Sequence, residues 1–231
     1  MGKRITQQAR GKGSLTFRVR GKAYRYKITY PKLNSVGKAK IVKLFNSAGH
    51  TAPLIKVVIN DENFIVPATD GIYEGQEISI GEGINPGNIL KLKDIPQGTK
   101  VFNIESAPGK GGKVLRSAGS SASVLTKDEK GVEVLIRRRK LKFNENCRAT
   151  IGVAAGEGRL IKPVVKAGKK HHMMKSQGRK WHRTSAVKVN ALDHPFGGGR
   201  GKRIKSKIAK RNSPPGRKVG HLSPKRTGKK R

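Results

Sequence analysis

The first carboxylate of this chain is Asp61, and that delay constrains what it can fold into more than any motif. Residues 1–56 hold 14 Lys and Arg and no acid. Residues 57–160 hold 15 against 13 acids, and residues 161–231 hold 23 against one, Asp193. Only the centre is balanced enough to collapse on itself, because like charges repel in a compact state. At roughly 50–100 residues per small domain, that centre accommodates one or two cores. The flanks are poor in apolar residues and read as arms that order on a partner.

A net charge of +38 over 231 residues calls for a polyanion. No apolar run is long enough to span a bilayer and no basic amphipathic helix is evident, so nucleic acid is preferred to a membrane face. Cys147 is the only cysteine, which excludes an intrachain disulfide and a cysteine-rich zinc module and fits a reducing, cytoplasmic setting. No signal segment is apparent.

Taken in order, residues 1–35 form a basic N-terminal arm. Arg10, Lys12, Arg18, Arg20 and Lys22 alternate with glycine and offer phosphate neutralisation. Tyr24 beside Arg25, followed by Tyr26 and Tyr30, offers flat faces for unpaired bases. An ordinary strand from Tyr24 to Tyr30 is the alternative, and the two readings are compatible.

Residues 36–84 read as a small all-β unit. Its expected strands are Ala39–Phe45, Pro53–Ile59, Phe64–Val66 and Glu77–Ile80, with a hairpin closed by the four residues Asn60–Asn63. Gly81–Gly87 is the expected boundary. Residues 85–160 then read as a second small barrel, with strands at Ile89–Leu92, Lys100–Glu105, Val114–Ser117, Ser123–Thr126, Val132–Arg137 and Ala149–Val153. Asp128–Gly131 is one connecting turn. Pro108–Lys113 is another; it lacks the Ser or Thr and the following helix of a nucleotide loop, so Lys110 and Lys113 are expected against a nucleic-acid backbone instead. The run Arg137-Arg138-Arg139-Lys140 has two readings, a solvated edge strand or a phosphate contact.

Residues 161–231 form the second basic arm. Lys166, Lys169 and Lys170 open a short basic helix that Gly178 limits. Arg179 and Lys180 flank Trp181, whose ring suits either a core or a stack on nucleic acid. In the stretch 190–200, Pro195 has no amide to donate and pushes His194 toward an extended conformation. The His194 and Phe196 rings are placed to probe or stack, the amides of Gly197, Gly198 and Gly199 to face phosphate oxygens, and Arg200 to add fixed charge. Asn212–Lys218 reads as a stiff extended segment that carries Arg217 and Lys218.

Catalysis is not expected. Asp193 and His194 are sequence neighbours, which rarely share the geometry of a base and its orienting acid, and no nucleophile is identifiable. His171, His172 and His182 do not make a metal site, since adjacent histidines point apart and no carboxylate is near. No cofactor is expected. Composition alone also allows a DNA-compacting architectural protein.

Motifs along nearly the whole chain resemble the universal large-subunit ribosomal proteins of the L-two family, archaeal or eukaryotic form. They include Glu74-Gly75-Gln76-Glu77-Ile78, Ile95-Pro96-Gln97-Gly98-Thr99, Arg116-Ser117-Ala118-Gly119, Cys147-Arg148-Ala149-Thr150-Ile151-Gly152, Asp193-His194-Pro195-Phe196-Gly197-Gly198-Gly199, Pro214-Pro215-Gly216-Arg217-Lys218 and Lys225-Arg226-Thr227-Gly228. The resemblance implies an all-β fold: an OB-fold-like barrel, then an SH3-like barrel, with long basic N- and C-terminal extensions. It implies large-subunit rRNA as partner, with small-subunit rRNA and other ribosomal proteins within reach, and no membrane or homo-oligomer. Arg116, Arg148 and Arg226, within matched segments, join the expected rRNA contacts. The Asp193–Gly199 loop is expected in RNA near the peptidyl transferase centre, with His194 in a supporting position. Two departures stand out: Leu135–Lys140 replaces a short proline-containing turn, and His182 replaces a proline after Trp181.

Overall fold

Short alternating runs interrupted by Gly, Asn and Pro leave each strand one apolar face, and such faces are satisfied only by packing against one another. In a computed structural model the burial is achieved within one continuous ten-stranded sheet, which carries two cores. The structure describes residues 2–15, 17–128, 131–177, 179, 181–182, 184–199 and 208–224. Two compact units emerge: residues 20–169, and the described residues of 1–19 together with those of 170–231. The two basic ends, read from the sequence as separate arms, are therefore parts of one unit.

The 20–169 unit is all-β. Strand β1 (Gly37–Phe45) pairs antiparallel with β2 (Leu54–Ile59), which pairs with β3 (Glu62–Pro67). The β2–β3 loop is two residues, not the expected four, because Glu62 and Asn63 are already paired with Ile59 and Val58. Asn60 and Asp61 take φ of 44° and 62°, the left-handed pair that a tight hairpin demands and that Asn and Asp tolerate. The β1–β2 register slips at Val42, which bulges outward.

Strand β4 (Glu77–Ile80) lies on the other side of β1, and β5 (Ile89–Lys91) pairs parallel to β4 through Ile80 and Ile89. The 81–87 segment is thus a loop in the chain but not a break in the sheet. On β5 adjacent residues point to opposite faces: Ile89 enters a core with Ile41, Val57, Phe64 and Ile78, whereas Leu90 enters a second core with Val101, Val124, Val134 and Ile151. One three-residue strand therefore serves two cores. Each fully buried aliphatic side chain contributes about 1.5–3 kcal/mol.

A 3₁₀ turn at Leu92–Asp94 leads to β6 (Lys100–Phe102), and a two-stranded ribbon is made by β7 (Ile104–Glu105) and β8 (Gly112–Val114). Strands β9 (Ala122–Asp128), β10 (Gly131–Ile136), β11 (Arg139–Phe143) and β12 (Arg148–Ile151) complete the sheet in the order β11-β10-β9-β6-β12-β5-β4-β1-β2-β3. The expected strand at Val114–Ser117 is instead centred on Gly112–Val114, and Leu115 turns away at φ 60°. Strand β11 runs on to Phe143, beyond the Arg137–Lys140 run read as an edge, and its exposed Arg139, Lys140 and Lys142 hide the period of two. Glu129 and Lys130 of the expected 128–131 turn lie outside the described residues. Residues 24–30 form no strand.

The second unit is built from short pieces. Helix α1 (Thr6–Gly11) starts at Ile5, whose amide donates to the Gln8 side chain at 3.1 Å. A brief helix α2 (Gly158–Ile161) still belongs to the 20–169 unit, and α3 (Ala167–Ser176), the expected basic helix in which no side chain is buried, begins at the end of that unit and runs on past residue 170. The 212–218 segment is not extended: Arg217 and Lys218 amides both return to the Pro214 carbonyl. Prolines here fix a turn rather than a rod.

Candidate nucleic-acid interface

The loop 190–199 is folded by its own backbone. Asp193 and His194 amides donate to the Asn190 carbonyl, Gly197 to that of His194 and Gly198 to that of Val189. Those last two bonds correct an expectation: the Gly197 and Gly198 amides are engaged inside the loop rather than presented to phosphate. Glycine at 197 is required by space, since a Cβ there would meet the Asn190 carbonyl oxygen at 2.2 Å. Gly198 and Gly199 adopt φ of 76° and 85°. The three glycines therefore let the loop close on itself.

His194 is fixed by the same loop. The Phe196 amide donates to its Nδ1 at 3.0 Å, the pattern an Asn side chain makes with the amide two residues on, and the two rings meet at 5.1 Å. An accepting Nδ1 leaves Nε2 as the ring's donor. His194 also lines two open clefts of about 420 and 710 Å³, both bordered by Lys3, Arg4 and Ile5. Arg217 lines the first and Arg10 the second. The N-terminal segment is tied to the loop by Lys3, whose amide donates to the Leu192 carbonyl at 2.9 Å and whose ammonium sits 3.3 Å from Asp193.

Lys3 and Arg4 were missed as site residues. Separation of about 190 residues in the chain hides their proximity to His194.

Other expected contacts are exposed as their charge demands. Lys12, Arg18, Arg20, Lys22, Arg25, Lys110, Lys113, Lys166, Lys169, Arg179 and Lys218 lie at the surface, and Lys170 is half-buried. Tyr24 is 50 % exposed, and its ring meets that of His50 at 5.2 Å in a T-shaped arrangement. Trp181 is half-buried and meets His182 edge-on. Arg200 and Arg226 lie outside the described residues.

Arg148 is a correction. It is 5 % exposed, its guanidinium pairs with Glu105 at 3.0 Å, donates to the Pro31 carbonyl at 2.8 Å and lies over the Tyr30 ring. Glu105 in turn accepts the amides of Gly111 and Arg148. A cation so surrounded has no surface to offer a phosphate; it clamps residues 30–32 and the 106–111 loop onto the sheet. Tyr30 is also buried, with its hydroxyl donating to the Asn103 carbonyl or Thr150, and burial raises its pKa. Arg116 is half-buried, one guanidinium nitrogen donating to the Ile28 carbonyl, and burial lowers its pKa. Nothing in sequence separates these arginines from their exposed neighbours.

Cations are missing from one long stretch. Residues 57–90 contain no Lys, Arg or His but six acids, Asp61, Glu62, Asp70, Glu74, Glu77 and Glu82. That stretch supplies β3, β4 and their loops; Glu62 and Glu77 are paired with Lys32 and Lys38 from outside it, and Asp61, Asp70, Glu74 and Glu82 have no cation partner among the ion pairs of the described residues. Among the described residues no group of three His, Cys, Asp or Glu is placed to hold a metal, and no helix is long and apolar enough to cross a membrane.

An all-β unit, and a second unit with cation-lined clefts around a self-braced histidine loop, define a class: a strongly basic β protein with two charged ends. Comparison with known sequences narrows it. A family profile described as "Ribosomal Proteins L2, C-terminal domain" matches residues 85–216. The chain is 44 % identical over 240 residues to "Large ribosomal subunit protein uL2" of Archaeoglobus fulgidus, covering all of both chains. It is 43 % identical over 236 residues to the proteins of that name from Natronomonas pharaonis and Haloarcula marismortui, covering 99 % of this chain and 97 % and 98 % of theirs. The chain belongs to the ribosomal protein L2 family, whose all-β OB-like and SH3-like fold it shares.

Proposed function

We propose that this chain is a structural, non-catalytic constituent of the large ribosomal subunit that binds large-subunit rRNA directly, in ribosomes of the cytoplasm. The observation that carries the reading is the joining of the His194 loop to Lys3, Arg4, Arg10 and Arg217 around two open clefts, in a chain matched end to end by large-subunit proteins. In this reading the OB-like domain is residues 36–84 and the SH3-like barrel residues 85–160. The two basic ends neutralise phosphates that would otherwise keep RNA helices apart. That role supports assembly, subunit association, tRNA binding and the surroundings of the peptidyl transferase centre. Small-subunit rRNA and neighbouring ribosomal proteins are secondary partners, and the protein acts as a single copy. His194 supports the RNA through its Nε2 donor and carries no chemistry itself.

The test is competition at ~0.2 M salt, where non-specific phosphate binding is weak: folded large-subunit rRNA should outcompete duplex DNA by a factor of ~10³ or more. Equal affinity would mark a DNA-compacting protein instead. In cell extract the protein should co-sediment with large subunits through a high-salt wash. His194→Ala should bind rRNA within about threefold of the parent, because it removes one donor from many contacts.

A further inference from the structure

We infer that the β10–β11 hairpin tip, Arg137 to Lys140, is a separate phosphate-backbone binding site for RNA. The inference rests on the rRNA-binding reading above and adds a contact surface to it.

The turn itself is the first observation. Strands β10 and β11 pair up to Ile136 and Arg139, so Arg137 and Arg138 alone make the loop. Arg137 adopts φ 59°, the left-handed region where a Cβ is crowded and glycine or asparagine is favoured. The β2–β3 hairpin of the same sheet meets the same demand with Asn60 and Asp61. A turn optimised for stability would not use arginine here. Strained backbone of this kind is retained where a side chain is needed at that spot.

Charge is the second. Arg137, Arg138, Arg139 and Lys140 are all exposed, and none is among the ion pairs formed by the described residues. Lys142, further down the strand, is paired with Asp128 at 3.2 Å. Four adjacent unpaired cations repel one another within a Debye length of ~8 Å, so the arrangement costs stability unless an anion meets it.

Position is the third. Strand β11 ends the sheet, and basic residues on an edge strand also prevent unwanted strand pairing. Edge protection accounts for Lys140 and Lys142. It does not account for arginines in the turn, which have no ladder to protect. Guanidinium forks on a narrow two-stranded tip instead suit phosphates bordering an RNA groove, each fork bridging two oxygens.

The experiment measures affinity of the full-length protein for large-subunit rRNA and, in a separate arm, small-subunit rRNA, across a salt series. Arg137→Gly with Arg138→Gln relieves the left-handed turn while removing two charges; Arg138→Glu alone leaves the Arg137 backbone untouched. The double variant should melt at or above the parent, yet its slope of log affinity against log salt should shrink by about 1–2 units, at ~0.9 per lost phosphate contact, with roughly tenfold weaker binding. Arg138→Glu should weaken binding at least as much per charge. The arm in which the slope changes identifies the RNA that the tip touches. Unchanged slope and affinity within twofold in both arms would reduce the tip to a solvated edge while leaving the rRNA-binding reading intact. Failure of the parent protein to bind either RNA would instead sink that reading, and the tip's role with it.

Discussion

Arg148 and Arg138 have the same side chain, and only burial separates their roles. Glu105 is 0 % exposed and its pair with Arg148 is closed by two backbone amides and a carbonyl, so removing the cation strands a buried carboxylate. Arg148→Met should destabilise the fold by about 3–5 kcal/mol, whereas adding Glu105→Gln should recover part of the loss, as read by denaturant midpoint. A fully additive double variant would show that the two residues do not act as a unit.

His50 gives a pH signature at the same scale. Its Nδ1 lies 2.9 Å from the Ser47 hydroxyl, and burial first, then the Arg116 charge, lower its pKa from the ordinary 6.5. As pH falls the unfolded chain therefore binds this proton first. The contribution to stability is complete above ~6.5 and is lost as pH drops toward the folded value. His50→Gln should accordingly lose less melting temperature than the parent between about pH 7 and about pH 5. An identical acid limb in both proteins would assign the loss to other groups.

Among elements, the β2–β3 turn and the 190–199 loop differ in what they reveal. The β2–β3 turn needs two left-handed residues and has Asn60 and Asp61, of which the second is the less suited. Asp61→Gly should stabilise by about 0.5 kcal/mol and raise the melting temperature by about 1–2 °C, since it relieves strain but frees the unfolded chain. A fall would mean that the Asp61 carboxylate has a role beyond the turn. The sequence located this hairpin but lengthened its loop by two, because Glu62 and Asn63 are polar residues that nevertheless pair. In the 190–199 loop the glycines were legible and their job was not. A run of glycine advertises free amides, and whether those amides are already bonded is settled only by where Val189 and His194 place their carbonyls.

Across the whole molecule, charge sorts into surfaces rather than averaging out. The cation-free stretch 57–90 sits within a chain of +38, and its acids cannot face phosphate without cost. Asp70→Asn with Glu82→Gln should leave the salt slope of rRNA binding unchanged, whereas Lys3→Gln with Arg4→Gln should reduce its magnitude by up to about two units. A slope that steepens when the acids are removed would place that face against RNA. The strand pattern, the basic character of both ends and the family were legible because period-two alternation, charge counts and motif spacing are properties of the chain itself. Which arginine is buried, that Tyr30 is a clamp rather than a stacking surface, and that Lys3 and Arg4 meet the His194 loop were decided only on folding. Local sequence states what a residue can do. Its desolvation and its distant neighbours, fixed by the packing of two cores and the joining of two ends, select which of those capacities it retains.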